Sequence, residues 1–337
     1  MKRDFSTNKV DYSAYFNSKK EPVFSVVNPE KTVIPKSLYK YYRVNNCSYK
    51  NSVDAFTKHY LFASHPENLN DKYDCSSDLI DYSQLTIQDF ITSLGKLINM
   101  SEEKVRQLYS SSKNLLEITL ADLTHTVMFM KFGVISLTEV SDSILMWAYY
   151  SENSGFVLKF KTDLLPKNSF FGPFPINYME NYEKIDCTQY ENPLCVLYQS
   201  NVKNIMWKPE NEWRYLVYNS DGSYHPKFSP DNSHTRKCDY NPKAVEEVIL
   251  GYDFFSINEI DFNNRTPEYD IINLPDKSTP QNWKIKFLDY LIQENIPCSQ
   301  IRRNRYNIEL GSAAIKIEKT VDNKYKVFNS FKKPDIL

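Results

Sequence analysis

Glu210, Glu212 and Arg214 stand at alternate positions of one short stretch, between Trp207 and Tyr218. Within that stretch Trp213, Tyr215 and Val217 alternate with Glu212, Arg214 and Leu216, the period of a β-strand. Pro209 sits where a strand can begin but not continue. A strand with carboxylates on one face and aromatics on the other can set a negative charge against a developing cation. The same pattern describes an ordinary edge strand, with Glu212 and Arg214 as a solvated pair of little energetic consequence. Either way, the alternation predicts an edge position.

Other residues could complete such a site. Leu38, Tyr39, Lys40 and Tyr41, followed by Arg43, read as a strand over residues 37–44. Tyr39, Tyr41, Trp147 and Tyr150 offer faces for a planar ring such as nicotinamide. A diphosphate needs a cation, and Arg43 or Lys40 could supply it. Only one of them can, because odd and even strand positions face opposite sides. Ser136 and Thr138 share a strand face, where they hold a ligand's hydroxyls or simply bond across the sheet. Trp147 and Tyr150 lie at helical spacing, which also builds a core. Asn70 and Asp71 are good turn residues, and Asp74 could satisfy nearby backbone donors.

Composition removes several alternatives. The chain of 337 residues has a formal net charge of −1, so no global field recruits nucleic acid or anionic lipid. Its 7 glycines are scattered and form neither a dinucleotide fingerprint nor a P-loop, so a nucleotide would be held by side chains and strand edges. The nucleophile elbow is missing as well. The 6 cysteines show no paired spacing and, with 5 histidines, no local metal template. Without an apolar leader or a membrane-length run, a cytoplasmic protein with reduced thiols and no membrane partner is expected. Abundant Tyr, Asn, Lys and Ile suggest an AT-rich bacterial or phage genome.

The positioning elements follow from periodicity. A short helix is expected over 50–60 and a strand from Tyr60 to Ser64. Thr86 caps a helix whose stripe is Ile87, Phe90, Ile91, Leu94 and Ile98. More helix is expected between Ser101 and Lys113 and around Leu120–Met130. Strands follow at Gly133–Thr138, Phe156–Phe160, Leu194–Tyr198 and the Trp213 stretch. Residues 243–251 read as a short helix leading into a strand, and Gln281–Gln293 as a helix. Strands close the chain at Ser299–Arg302, Arg305–Leu310 and Ala313–Ile317, with a turn at Asn304. Strands and helices do not alternate regularly, which argues for an α+β fold with a central, mostly antiparallel sheet. Residues 1–34 read as an extended arm, and 35–337 as one domain with a helical insertion at about 81–130.

Four patterns together resemble a known family. They are Leu38–Arg43, Phe62–Asp74, the run from Ile135 through Trp147 and Tyr150 to Phe160, and Glu210–Arg214. In order and spacing they resemble the prokaryotic family named domain of unknown function 2971, over roughly residues 37–260. Lys72 stands where that family usually has proline, and Tyr42 displaces Arg43 by one position. More distantly, the order of a basic aromatic strand, a Ser-x-Thr strand and a Glu-x-Glu strand is similar to the ADP-ribosyltransferase fold. That resemblance implies a split sheet with NAD in the cleft as substrate. It implies Arg43, Ser136 and Thr138 as binding residues and Glu212 and Glu210 as catalytic ones. The acceptor would be a protein or nucleic acid, and the setting a bacterial or phage conflict, such as antiphage defence. A metal-dependent nuclease or nucleic-acid binder using Asp71, Asp74, Glu210 and Glu212 is the alternative, and a non-catalytic sensor or interaction module is a third.

Overall fold

The computed structural model describes residues 34–45, 48–71, 73–166, 170–182, 184–188, 192–218, 236–275, 282–303, 310–320 and 323–329. The expected arm over 1–34 and the strand and turn around 304–309 therefore lie almost wholly outside the described residues. In chain order the first elements are β1 (Ser37–Tyr42), α1 (Tyr49–Thr57), β2 (Tyr60–Phe62), β3 (Ile80–Asp81), α2 (Ile87–Ile98), α3 (Glu102–Lys131), β4 (Phe132–Thr138), α4 (Ile144–Ser151) and β5 (Phe156–Lys161). Then come β6 (Phe170–Pro175), β7 (Asn177–Met179), β8 (Ile185–Asp186), α5 (Asn192–Ser200), β9 (Val202–Asn204), β10 (Glu212–Tyr218), β11 (Lys237–Asp239) and β12 (Val245–Leu250). β13 (Tyr269–Asn273), α6 (Asn282–Gln293), β14 (Cys298–Arg303), β15 (Leu310–Lys319) and β16 (Lys324–Asn329) complete the set.

Ten strands form one sheet, in the order β13-β16-β15-β14-β12-β5-β1-β4-β10-β6. β12 and β14 run parallel, and the other neighbours are antiparallel. The protein is thus a mixed α and β fold on a large, mostly antiparallel sheet. One joint is unlike the rest. β1 pairs with β5 over its whole length, from Ser37↔Lys161 to Tyr42↔Phe156, but meets β4 only at Tyr39↔Thr138. The sheet therefore splays between β1 and β4.

The alternation along each strand sorts the core. Leu38 and Tyr42 of β1, Phe156 and Leu158 of β5, and Trp213 and Tyr215 of β10 share one apolar cluster with Phe56 of α1 and Phe287 of α6. On the opposite face the apolar side chains fall into two groups. Val134 and Leu216 pack against Phe90 and Leu94 of α2 and Leu116 of α3. Tyr41, Val157 and Ile249 pack beneath Met146 and Trp147 of α4. α2 begins where the sequence says it should, with Thr86 and Asp89 closing a capping box. α3 is two helices run together, with non-helical backbone at Ser112.

Three expectations are corrected. β10 is an interior strand, paired with β4 from Glu212↔Thr138 to Tyr218↔Phe132 and with β6 on its other side. Its charged face is covered by chain from elsewhere. Leu194–Tyr198 lies in helix α5 and not in a strand; a short apolar run has no periodicity to decide between the two. The helical turn before β12 is a 3₁₀ turn, Pro242–Ala244.

Candidate functional site

The site lies on the divided face, between its two apolar groups, where β1 and β4 splay. A cavity of about 230 Å³ opens there. β1 contributes Tyr39, Lys40 and Tyr41, β4 contributes Ser136 and Thr138, and α4 contributes Met146 and Tyr150. Lys203 of β9, Glu210, and Glu212 and Arg214 of β10 form its charged wall, and the segment from Ser64 to Asp74 closes one side. That segment can approach because Gly133 has no side chain: a Cβ there would stand 2.6 Å from Ala63 Cβ.

Local backbone explains why both glutamates reach the cavity. Glu210 ends a 3₁₀ helix, Ile205–Glu210. Asn211 then takes a left-handed conformation (φ 43°), which asparagine tolerates better than most residues. Glu212 opens β10 with its backbone N–H donating to Tyr178 Oη at 2.8 Å.

Arg214 is 1 % exposed, and every one of its five N–H donors is used. Nε donates to Glu212 Oε1 (2.7 Å) and Nη2 to Glu212 Oε2 (3.1 Å). Nη1 donates to Asp74 Oδ1 (2.6 Å) and to the Ser200 carbonyl (2.9 Å), and Nη2 also to Asp74 Oδ2. The Ser200 carbonyl is one of those left open at the C-terminal end of α5, the negative end of its dipole. Lys203 Nζ bridges the glutamates, 2.5 Å from Glu210 Oε2 and 3.0 Å from Glu212 Oε2. It also lies 4.9 Å from the Trp207 ring centre. Tyr150 Oη donates to Glu210 Oε1 and accepts from Asn70 Nδ2 at 3.0 Å.

These contacts separate the two carboxyls. Burial alone would raise Glu212, but Arg214, Lys203 and the Ser136 hydroxyl outweigh it and hold Glu212 well below the usual carboxylate range. Burial and then the Glu212 charge raise Glu210, against the opposing pull of Lys203 and Tyr150. Burial lowers Lys40 to about 8, although Glu212 pulls the other way. Lys40 Nζ donates to the Ser136 carbonyl at 2.8 Å, spanning the gap where a backbone rung is missing.

The structure gathers Tyr39, Tyr41, Ser136, Thr138, Tyr150, Glu210 and Glu212 around one cavity. Thr138 is committed to the backbone, its Oγ1 donating to the Glu210 carbonyl (2.6 Å) and accepting from Val140 N (3.1 Å). Tyr41 Oη is likewise held by the Val140 carbonyl at 3.2 Å. Arg43 lies away from the cavity. It is on the surface, donating to the Tyr149 carbonyl (2.6 Å) and pairing with Glu152 (3.3 Å). Of the two basic alternatives on that strand, Lys40 is the one at the site. Trp147 also lies outside the cavity lining: it is buried, edge-on to Tyr41 at 5.2 Å, with its ring N–H on the Ser141 carbonyl. Tyr150 and Asn70, whose spacing also suits a structural role, sit at the centre of the polar network.

Sequence reasoning overlooked Lys203 and Tyr178, and gave Asp74 a backbone role or a place in a metal-binding cluster but not its pairing with Arg214. Lys203 and Tyr178 sit side by side on β9 and β7, two three-residue strands with no alternation long enough to register. Asp74 lies 140 residues from Arg214 along the chain. No family model, curated protein or solved structure matches this chain. Among the described residues, no helix is long and apolar enough to cross a membrane.

Proposed function

We propose that this cavity cleaves an N-glycosidic bond, with NAD as substrate, and passes the ADP-ribosyl group to a protein or nucleic-acid acceptor or to water. One observation carries the reading: two carboxyls with opposite proton affinities face a single cavity, Glu212 held ionised and Glu210 raised. Environments that push paired carboxyls apart assign base and anion roles. As the C–N bond breaks, its electron pair leaves with nicotinamide and the ribose becomes cationic. Glu212, fixed by Arg214 and Lys203, faces that charge without rearranging. Glu210 takes the proton of the attacking hydroxyl.

Further features support the reading. The sheet splays at β1 and β4, as a split-sheet, ADP-ribosyltransferase-like cleft requires, and no glycine loop is needed. On this view α2 and α3 are a helical insertion packed on the same face of the sheet, beside the cavity and outside its lining. The nuclease alternative uses Asp71, Asp74, Glu210 and Glu212, whereas Arg214 and Lys203 pair with the last three and Asp71 lies outside the cavity lining. Among the described residues, no group of three His, Cys, Asp or Glu side chains could hold a metal ion.

The test is nicotinamide release by the purified chain. Glu212→Gln should lower turnover about 10²–10³-fold, the usual effect of losing one preorganised electrostatic group. Glu210→Gln should depress transfer more than hydrolysis. Metal-dependent nucleic-acid cleavage without nicotinamide release would move the assignment to the nuclease. Binding of NAD with no turnover under any condition would leave a sensor.

A further inference from the structure

The N-glycoside reading leaves open how much of the substrate the protein holds, and the cavity's size and charge address this. Pockets that bury a drug-sized ligand run to roughly 300–1,000 Å³. A dry cavity of about 150 Å³ holds benzene. The space here, about 230 Å³, suits an aromatic ring with part of a sugar and is too small to enclose a dinucleotide.

The cations agree. A diphosphate is usually gripped by a guanidinium fork or several donors. Arg214 has no donor left, since Glu212, Asp74 and the Ser200 carbonyl take all five. Lys203 spends two of its three donors, and its charge, on Glu210 and Glu212, and Arg43 points to the surface. Among the described residues lining the cavity, that leaves Lys40. It spends one donor on the Ser136 carbonyl and has two to offer. A single ammonium matches one phosphate.

Resting on the N-glycoside reading above, we infer that recognition ends at the first phosphate: the substrate class is the pyridine mononucleotide, and the adenylate half of NAD lies outside the cavity and contributes little. Three probes decide it on the full chain: NAD, nicotinamide mononucleotide and nicotinamide riboside, each followed by nicotinamide release and by thermal shift. The mononucleotide should be used with a kcat/KM within about tenfold of that for NAD. Lys40→Met should lower the mononucleotide value at least about tenfold more than the riboside value, as expected for one charge-assisted hydrogen bond. A preference for NAD above about 100-fold overturns the inference and leaves the N-glycoside reading standing. Equal losses for mononucleotide and riboside in Lys40→Met overturn the phosphate assignment. If none of the three releases nicotinamide or raises the melting midpoint of the wild-type protein, the N-glycoside reading itself fails.

Discussion

Two buried sets of charges in this protein invite comparison. Lys284 and Glu259 form a closed pair: Lys284 Nζ lies 2.8 and 2.6 Å from the two Glu259 oxygens, beneath the rings of Phe254 and Trp283. Glu259 also caps the Ser256 N–H at 2.8 Å. Burial pulls the Lys284 ammonium down, and Glu259 opposes it. The second set has three carboxylates, Asp74, Glu210 and Glu212, around Arg214 and Lys203, and it faces a cavity. Both sets are buried and well bonded, so burial alone does not distinguish them. The difference is balance and access. A one-to-one pair in apolar surroundings has nothing left to give. A network with an excess of carboxylate, one member of which holds its proton more tightly, can exchange a proton with whatever enters.

The comparison can be broken most forcefully at Arg214. Arg214→Met leaves Asp74 and Glu212 buried without their cation and should cost at least about 3–5 kcal/mol, read by urea denaturation. A loss below about 1 kcal/mol would mean that the network does not depend on its central cation. At the closed pair, Lys284→Met should cost roughly 3 kcal/mol, whereas Lys284→Met combined with Glu259→Met should recover most of that loss. A double variant as unstable as the single one would show that the pair is not self-contained.

Acid sharpens the contrast. The stabilisation that Glu212 supplies is full above its unfolded value, about pH 4.3, and is lost as pH falls from there toward its low folded value. Glu210 runs the other way, its contribution present below about pH 4.3 and lost as pH rises through its higher folded value. Stability measured from pH 7 downward should therefore fall less steeply in Glu212→Gln than in wild type, and more steeply in Glu210→Gln. Parallel curves for all three would contradict the separation of the two carboxyls. The smallest effect is expected for Tyr150→Phe, about 0.5–1.5 kcal/mol for one hydrogen bond. Because that bond favours ionised Glu210, its loss should move the Glu210 limb of the pH–rate profile upward, and an unchanged limb would remove Tyr150 from the site.

What the sequence made legible followed from local period. The two faces of β10 could be read from Trp213, Tyr215 and Val217 against Glu212, Arg214 and Leu216, and the structure places them on opposite sides. The interior position of β10 could not, because β6 takes its second edge, and neither could the burial of its charged face, because what covers Glu212 and Arg214 comes from Asp74, α5 and β9. A charged face reads as solvated until its distant partners are known. Parity along β1 groups Arg43 with Tyr39 and Tyr41, yet it is Lys40 that lines the cavity, its Nζ on the Ser136 carbonyl across the gap. That depends on where β1 parts from β4. β6 went unseen because Gly172, Pro173 and Pro175 interrupt its pattern.

The joint at Tyr39↔Thr138 has a mechanical consequence. Ser64 exchanges both backbone hydrogen bonds with Val134 farther along this edge of β4, so the one backbone rung and the Lys40 tether leave a short hinge line around Ser136, between two blocks of strand. Such a line opens at a lower free energy than the blocks on either side. The Ser136 amide, which faces the gap between the Val134 and Thr138 pairings, should exchange with solvent sooner than those of β10, which is paired along both edges. A molecule lodged across the gap would act as a clasp, slowing exchange on both banks at once and far beyond the residues it touches.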